Sequence, residues 1–498
     1  MEEILITQTS AICNLGENIS EIFKNAVEGK IFPHKITAEL PQIEDKNYDI
    51  RCNRILLHCL NNLNTKDLIE KYGQKRIGVI IGTTNTGIEE YETSQNLKHA
   101  QYGNPAEFVR EFLGLEGIYM SPSTACTSSL KAISTAVKLL KENLCDAVIA
   151  GGVDSMASLP QKGFGALEVL TDKLTNPMSK NFTGMNIGEG GALFVIEKNA
   201  LTGIKIMGIG ESSDAYNAAT PEPKGLQAKN AVLNALNEAG LTSEDIDYIN
   251  LHGTGTESND TMEAKVVSEI FKDKVFSSST KPLTGHCLGA ASAIEIALCT
   301  EMLSNNPEKF LLPHIYDGEA IIPEIKLAKK GEKAERLDIC LSNSFGFGGT
   351  NAVIILGRKK YDLEKVLPHK HPMILIDDIV EVNLKNQYVI SKVKITKDKI
   401  FFDKDGISHL AGIEFMAQTI GCYAFFKNNQ NPPKIGFLLG TRLYENKLEK
   451  FEEGKTYFIK AVEIYGDNEL VSFECFIYND GVECAKAIVN AYQRLSDE

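Results

Sequence analysis

The sequence lacks an excess of basic residues. Its 498 residues contain 52 Lys and Arg against 66 Asp and Glu, which gives a formal net charge of −14. Nucleic acids and anionic membranes attract basic surfaces, so this balance argues against either of them as the main partner. An acidic protein partner would have to dock on a local basic patch.

The sequence also lacks long apolar runs and paired cysteines. Because no stretch of 18 or more apolar residues occurs, no membrane-spanning helix is expected. The 11 cysteines are scattered without a CxxC pair, which predicts reduced thiols and no metal site. The chain begins with the acidic stretch Met1-Glu2-Glu3, where a signal peptide would have a basic region. Together these absences predict a cytoplasmic protein.

The pattern of the chain changes near residue 358. Residues 1–358 alternate short apolar runs with helical patterns in two successive cycles, which predicts an α/β fold of two related, layered halves. The expected elements are strands at residues 78–82, 147–150, 192–196, 204–207, 248–251 and 352–356, and a helix at 226–239. Residues 357–360, three of which are basic, suit a short linker.

Residues 359–498 form the second predicted domain. A long segment, residues 406–426, is apolar on nearly every face of a helix, which predicts a buried helix. Residues 456–461, 470–478 and 486–494 read as strands. One buried helix wrapped by an antiparallel sheet is a smaller α+β domain.

Cys126 is the candidate nucleophile of the first domain. It lies in the sequence STACTSS, residues 123–129. The segment before it has no regular pattern, and the segment after it has apolar residues at helical spacing. We expect the positive field at the start of that helix to favour the thiolate, which is the reactive form. A buried structural cysteine is the alternative for an isolated Cys among small residues.

Three later stretches favour the catalytic reading of Cys126. They are LHGTGT with His252, STKPLTGHCLGAA with Lys281 and His286, and the glycine-rich NSFGFGGTN at residues 343–351. Each alone fits a structural histidine or a tight turn. Together, and in this order, they closely resemble the β-ketoacyl-acyl-carrier-protein synthases of the thiolase superfamily over residues 1–356.

This resemblance implies a thiolase-like fold, a dimer formed through this domain, and substrates tethered to the phosphopantetheine of an acyl carrier protein, with no other cofactor. Cys126 would carry the acyl chain, and His252 and His286 would donate hydrogen bonds to the enolate left by decarboxylation. Lys281 would support the surroundings of the second histidine. Phe347 would either gate the acyl pocket or pack structurally. The backbone groups implied in the oxyanion hole belong to Cys126, Phe345, Gly346, Phe347 and Gly348.

Neighbouring classes of the superfamily fit less well. A degradative thiolase has a second cysteine in the C-terminal glycine loop, and residues 345–349 contain none. Cys340 lies too early, within an expected strand. Synthases that prime from coenzyme A have asparagine where this chain has His286. An elongating synthase is the remaining class.

The second domain resembles the hotdog 3-hydroxyacyl-carrier-protein dehydratases, and more narrowly the dehydratase-like proteins of aryl-polyene clusters. The resemblance rests on the helix motif IEFMAQ at residues 413–418, on an expected opening strand at residues 367–377, and on the stretches 402–406 and 435–442. It implies Glu414 as the catalytic acid. The usual base histidine is missing, since residues 400–403 read IFFD.

His369, His371 and His409 are the remaining candidates for the base, and the family's Pro-His pair falls on His369. Two hypotheses follow. In the first, the chain couples condensation to dehydration with Glu414 and His369, or with a second hotdog subunit that supplies the base. In the second, the hotdog domain is a non-catalytic docking or pairing module beside an active synthase.

Overall fold

The computed structural model describes residues 3–306, 308–322, 324–429, 436–467, 470–479 and 481–493. The chain forms two compact units, Met1–Arg358 and Lys359–Glu498. In the described part of the chain, no helix is both long and apolar enough to cross a membrane.

An 11-stranded mixed sheet organises the first unit, in the order β3-β2-β4-β5-β1-β6-β11-β10-β7-β8-β9. Its strands are β1 (Ile4–Cys13), β2 (Ile77–Gly82), β3 (Tyr119–Met120), β4 (Ala147–Asp154), β5 (Gly190–Lys198), β6 (Ile204–Ser213), β7 (Tyr248–Asn250), β8 (Phe276–Ser278), β9 (Lys326–Leu327), β10 (Ile339–Gly346) and β11 (Thr350–Arg358). Its helices are α1 (Ile19–Val27), α2 (Arg51–Asn61), α3 (Thr65–Tyr72), α4 (Ile88–Ser94), α5 (Asn104–Phe112), α6 (Ser128–Lys141), α7 (Ser158–Ala166), α8 (Leu226–Ala239), α9 (Glu257–Phe271), α10 (Lys281–Thr284) and α11 (Ala291–Ser304).

The pairing pattern of this sheet repeats. From β1 outward, β5 and β4 follow antiparallel and β2 and β3 follow parallel. From β6 outward, β11 and β10 follow antiparallel and β7 and β8 follow parallel. The expectation of two related halves is therefore confirmed at the level of topology.

Three hydrophobic clusters separate the layers of the first unit. The central cluster contains apolar residues of α6 and α11 together with strand residues of both halves. A second cluster places α2 and α5 against the first half, and a third places α8 and α9 against the second half. Helix α11 is buried on every side, as a central layer requires. The layers are therefore helix, sheet, helix, sheet, helix, in which the two sheet layers are the two halves of the one 11-stranded sheet.

The second unit has a six-stranded antiparallel sheet in the order β12-β13-β18-β19-β20-β16 and a small sheet β14-β15-β17. Its elements are α12 (Leu363–Val366), β12 (Asp378–Asn383), β13 (Tyr388–Lys394), β14 (Phe402–Asp403), β15 (Gly406–Ser408), α13 (Gly412–Lys427), β16 (Gly436–Asn446), β17 (Lys450–Glu452), β18 (Thr456–Gly466), β19 (Leu470–Asn479) and β20 (Val482–Gln493). Ten residues of α13 are buried. The expected α+β arrangement of one buried helix and an antiparallel sheet is confirmed.

Some expected bounds are wrong in the second unit. The buried helix begins at Gly412 and not at residue 406, because residues 406–408 form β15 and pair with β17. Leu410, expected on that helix, is 66% exposed in the turn before it. The opening strand begins at Asp378, since residues 367–377, which include Pro368 and Pro372, form no strand. Ile435 of the 435–442 stretch and Arg494 of the 486–494 strand lie outside the described residues.

Candidate active site

The site of the first unit forms where the two central helices begin. Cys126 lies between β3 and α6, and His286 lies in the corresponding connection of the second half, between β8 and α11. His252 follows β7. The Cys126 Sγ and one imidazole nitrogen of each histidine all lie within 4.8 Å of one another. All three side chains are buried.

The Cys126 turn is held by hydrogen bonds from several elements. The Ser292 and Ser344 hydroxyls, on α11 and β10, both donate to the Cys126 carbonyl at 3.0 Å. Ala125 has a φ of 53°, which is unusual for a residue with a side chain and persists only when its surroundings enforce it. The nucleophile is therefore fixed before substrate arrives.

The thiolate predicted for Cys126 is wrong. Burial raises the pKa of its thiol to about 11, and this outweighs the Lys281 charge and the backbone N–H groups of Phe347 and Cys126, which lower it. Helix α6 begins at Ser128, two residues beyond Cys126. Because the sulfur is removed from water, burial favours the neutral thiol over the thiolate.

Both histidines are neutral and present the same ring nitrogen to the site. Burial first, and then the Lys281 charge, lowers the pKa of His286 to about 3 and lowers that of His252 well below its usual value. The Leu288 N–H donates to Nδ1 of His286 at 3.0 Å, and the Lys281 ammonium lies 3.4 Å from Nδ1 of His252. Since an N–H and an ammonium can only donate, each imidazole carries its hydrogen on Nε2. Two N–H donors therefore remain for a substrate oxygen.

Lys281 is placed differently from the expectation. The family resemblance implies that it supports the surroundings of the second histidine, but its ammonium donates to the carbonyl of His252 and forms a 2.5 Å ion pair with Glu295. Both partners of this pair are almost fully buried, at 1% and 2% side-chain exposure. Lys281 thus holds the first histidine directly and affects the second through its charge.

Two carboxylates that support the site were missed in the sequence. Glu263 on α9 accepts the backbone N–H groups of His252 and Gly253 at 2.8 and 2.7 Å. Glu295 on α11 balances Lys281. A signal for Glu295 exists, because it is a charged residue within the apolar segment ASAIEIALC. Nothing in the spacing of Glu263 distinguishes it from a surface residue of α9.

The glycine-rich loop packs directly on the nucleophile turn. A Cβ on Gly346 would lie 3.3 Å from the Cys126 backbone nitrogen, so the loop approaches as closely as glycine allows. The backbone N–H groups of Phe347 and Cys126 are the ones that act on the sulfur. Phe345 instead packs edge-on against the His252 ring, with 6.2 Å between centroids.

A cavity of about 430 Å³ opens beside Cys126. Its wall is mainly apolar and includes Ile88, Leu159 and Phe164. Phe347 lies at the same cavity and makes an edge contact with Phe164, with 5.4 Å between ring centroids. An extended apolar group attached to the Cys126 sulfur would have this space available.

In the second unit, the structure brings the two expected residues together. Nε2 of His369 lies 3.7 Å from Oε1 of Glu414, and each side chain is about one third exposed, at 34% and 33%. Gln418 donates to the same Glu414 oxygen at 2.8 Å. His409 instead has its Nδ1 3.1 Å from the carbonyl of Glu449.

A buried thiol beside two neutral imidazole donors, in a duplicated five-layer α/β fold, defines a condensing enzyme of the thiolase type. Comparisons with known proteins narrow this class. The profile of the β-ketoacyl synthase N-terminal domain matches residues 38–200, and that of the β-ketoacyl synthase C-terminal domain matches residues 204–308. A profile described as ApeP dehydratase matches residues 361–497.

Relatives agree with these matches. The ketosynthase ApeO from Xenorhabdus doucetiae, solved in complex with its chain length factor ApeC, is 33% identical with a TM-score of 0.67, over 72% of this chain and 98% of that one. The 3-oxoacyl-[acyl-carrier-protein] synthase 2 of Coxiella burnetii is 29% identical over 71% of this chain and 98% of its own length. That of Vibrio cholerae is 32% identical over 57% and 76%.

The chain therefore belongs to the β-ketoacyl synthase family, and its second unit carries a domain of the ApeP dehydratase family. The resemblances drawn from the sequence are confirmed for both parts of the chain. The chain is a β-ketoacyl-acyl-carrier-protein synthase.

Proposed function

We propose that the first unit elongates an acyl chain by decarboxylative condensation with a malonyl thioester of acyl carrier protein. The observation that carries this proposal is the pair of Nε2–H donors of His252 and His286 beside the Cys126 sulfur. Such a pair suits a reaction in which negative charge develops on one oxygen.

In the first step the Cys126 sulfur attacks the carbonyl of an acyl carrier thioester. The oxyanion of the tetrahedral intermediate accepts the backbone N–H groups of Cys126 and Phe347. The bond to the carrier sulfur then breaks, and the proton lost by the Cys126 thiol ends on the departing carrier thiol. The acyl chain occupies the cavity beside Ile88 and Phe164.

In the second step a malonyl thioester binds with its carbonyl oxygen at the two histidines. The C–CO₂ bond breaks, its electron pair forms the enolate, and the Nε2–H groups of His252 and His286 stabilise the enolate oxygen. The enolate carbon attacks the Cys126 thioester. The cysteine sulfur leaves as the thiolate and regains a proton from solvent, and the 3-ketoacyl product stays on the carrier.

The test of this proposal is a reaction of the full chain with acyl and malonyl carrier thioesters, followed by mass spectrometry of the carrier. We expect a product longer by two carbons and its loss in Cys126→Ala. The control is Cys475→Ala, at a buried thiol of the second unit. Elongation retained by Cys126→Ala would overturn the assignment.

For the second unit we propose dehydration of the 3-hydroxyacyl carrier thioester in a polyene synthesis of the aryl-polyene type, after reduction by a separate enzyme. Dehydration needs a base for the α proton and an acid for the leaving hydroxyl. His369 and Glu414 are 3.7 Å apart and each is about one third exposed, so both are available to one substrate.

The test offers a 3-hydroxyacyl carrier thioester to the full chain and to the variants Glu414→Gln and His369→Gln. Formation of the enoyl product, and its loss in both variants, would support dehydration. The matched control is His409→Gln, since His409 lies on the same unit but contacts Glu449. If the wild-type chain forms no enoyl product, the unit is a docking or pairing module.

One observation favours that second function. Strand β16 is an edge strand of its sheet and exposes apolar side chains: Phe437, Leu438, Leu439 and Leu443 are 58%, 45%, 59% and 40% exposed. Such an edge offers unpaired backbone groups to another strand. A second hotdog subunit, from a copy of this chain or from a separate protein, would fit there.

We also propose that the synthase unit forms a homodimer and receives its substrates from an acyl carrier protein. The edge strand β3 has both residues, Tyr119 and Met120, at 40% exposure or more, which suits pairing with a second synthase unit. A chain-length-factor type partner, as in the ApeO complex, is the alternative outcome of an oligomer measurement. All eleven cysteines lie in the described part of the chain and none forms a disulfide, which fits the cytoplasm as the site of action.

A further inference from the structure

A carboxylate outside the Cys–His–His group connects the acyl cavity to one of the histidines. Asp154 ends β4 and is fully buried. Its oxygens accept hydrogen bonds from the hydroxyls of Thr83 and Thr84 at 2.8 and 2.6 Å and from the backbone N–H groups of Thr84 and Asn85 at 3.0 Å. Thr84 and Asn85 belong to the cavity wall.

The same carboxylate also holds the loop that follows His286. The Gly289 N–H donates to Oδ2 of Asp154 at 2.6 Å. A Cβ on Gly289 would lie 2.6 Å from that oxygen and 2.9 Å from Thr84, so only glycine allows the approach. This hydrogen bond lies next to Leu288, whose N–H donates to Nδ1 of His286.

Leu288 shows that the loop is held under strain. Its φ is 51°, in the left-handed region that a leucine rarely adopts. A residue in this region persists only when its neighbours enforce the conformation. The bond from Gly289 to Asp154 is a contact that enforces it on the C-terminal side.

We propose that Asp154 is a positioning residue for the condensation step, which keeps the hydrogen of His286 on Nε2 by fixing the Leu288 N–H against Nδ1. Without that donor, Nδ1 can take the hydrogen itself, and Nε2 then faces the enolate oxygen with a lone pair. Leu288 also lines the cavity, so the carboxylate sets one wall of the cavity and the histidine together. This inference rests on the proposed role of His286.

The chemistry of the carboxylate makes Asp154→Asn a specific test. Three of its partners are backbone N–H groups, from Thr84, Asn85 and Gly289, which cannot accept a hydrogen bond. An amide in place of the carboxylate must therefore turn its NH₂ toward at least one of them. Gly289→Ala disturbs the same contact from the other side and leaves Asp154 intact.

The experiment measures the two half-reactions separately in the full chain. Acylation is followed by mass spectrometry of acyl-Cys126, and decarboxylation by release of labelled CO₂ from a malonyl carrier thioester. Loss of one stabilising donor costs about 10²–10³ in rate, so partial loss should cost decarboxylation at least about tenfold. Acylation should change by no more than about twofold. A ¹⁵N spectrum of His286, assigned with His286→Gln, should show the hydrogen moving from Nε2 toward Nδ1.

Glu197→Gln is the matched control, since Glu197 is a buried carboxylate of the same unit that binds Lys71, Tyr72 and Thr7. A variant that only loosens the fold, such as Glu197→Gln, should lower both half-reactions equally. The proposal is overturned if Asp154→Asn or Gly289→Ala does the same, or if the His286 signals do not change. If either variant fails to fold, the other decides. If His286→Ala leaves decarboxylation intact, the proposed role of His286 is wrong, whatever the Asp154 variants show.

Discussion

The acidity of the Cys126 thiol gives the most direct test of the site. Its pKa of about 11 results from burial, and two buried charges act on it in opposite directions: Lys281 lowers it and Glu295 raises it. The usual value is 9.0. At about 1.4 kcal/mol for each pH unit, the difference favours the thiol by about 3 kcal/mol.

Alkylation by iodoacetamide measures this acidity, because the thiolate is the reacting form. With a pKa of about 11, about one thiol in a thousand is ionised at pH 8. The rate of modification of Cys126, followed by mass spectrometry, should therefore rise about tenfold per pH unit from pH 7 to 10. A plateau below pH 8 would refute the reasoning, since it would indicate a thiolate already present.

Variants at the two charges give the sign of each effect. Glu295→Gln should lower the thiol pKa and speed alkylation at a given pH, and Lys281→Met should do the opposite. Because Lys281→Met leaves Glu295 buried without its partner, it should also destabilise the fold by about 3–5 kcal/mol. The double variant removes both charges and serves as the control for that loss.

Three further predictions concern neighbouring groups. His252→Ala and His286→Ala should each lower decarboxylation more than acylation of Cys126, because the enolate forms only in the later step; labelled acyl transfer separates the two, and equal losses would contradict the assignment. Burial raises the pKa of Glu263 to about 7 from its usual 4.5, so the stability that its protonation contributes is present below pH 4.5 and is lost as the pH rises through 7. Urea unfolding of wild type against Glu263→Gln should show a difference that changes by about 3 kcal/mol across this window, and a pH-independent difference would refute it. Phe347→Ala should remove the ring contact with Phe164 at the cavity and speed alkylation of Cys126; an unchanged rate would assign Phe347 to packing.

The reacting residues could be predicted from the sequence because each lies in a distinctive local motif. Cys126, His252 and His286 are each flanked by small residues whose spacing is visible in the chain. The strands and α8 could be predicted for a similar reason, since burial leaves a periodic apolar pattern. These features depend on neighbours in sequence.

The electrostatics of the site depend on neighbours in space and could not be predicted. Lys281 lies five residues before His286, but its ammonium contacts His252. The helix that follows Cys126 predicts a lowered pKa for its thiol, but burial of the sulfur raises that pKa. Burial of a sulfur is decided by the packing of both halves, which no single motif records.

In the second unit, too, a local motif could be predicted from the sequence and a contact in space could not. The motif IEFMAQ correctly locates the buried helix and Glu414, but the segment with His369 is not the strand that the resemblance implied. The buried side chain of Gln418 explains this local structure. Its carbonyl oxygen accepts the Leu375 N–H at 2.9 Å, so residues preceding β12 bond to a helix side chain where a strand would pair with another strand.

The duplicated topology explains why two distant motifs meet in one site. Cys126 and His286 occupy the same connection in the two halves, each just before a central helix, and α6 and α11 pack against each other in the middle layer. The Ser129 hydroxyl on α6 accepts the Ala293 N–H of α11 at 2.9 Å, which ties the two helix starts together. Each connection also contains a strained residue, Ala125 or Leu288. Strain of this kind needs enforcement from the surroundings, and here the enforcing contacts come from the opposite half for Cys126 and from Asp154 of the first half for the His286 loop. The halves therefore hold each other's reacting groups, so a substitution at their interface should alter the geometry of the site even where it touches no substrate.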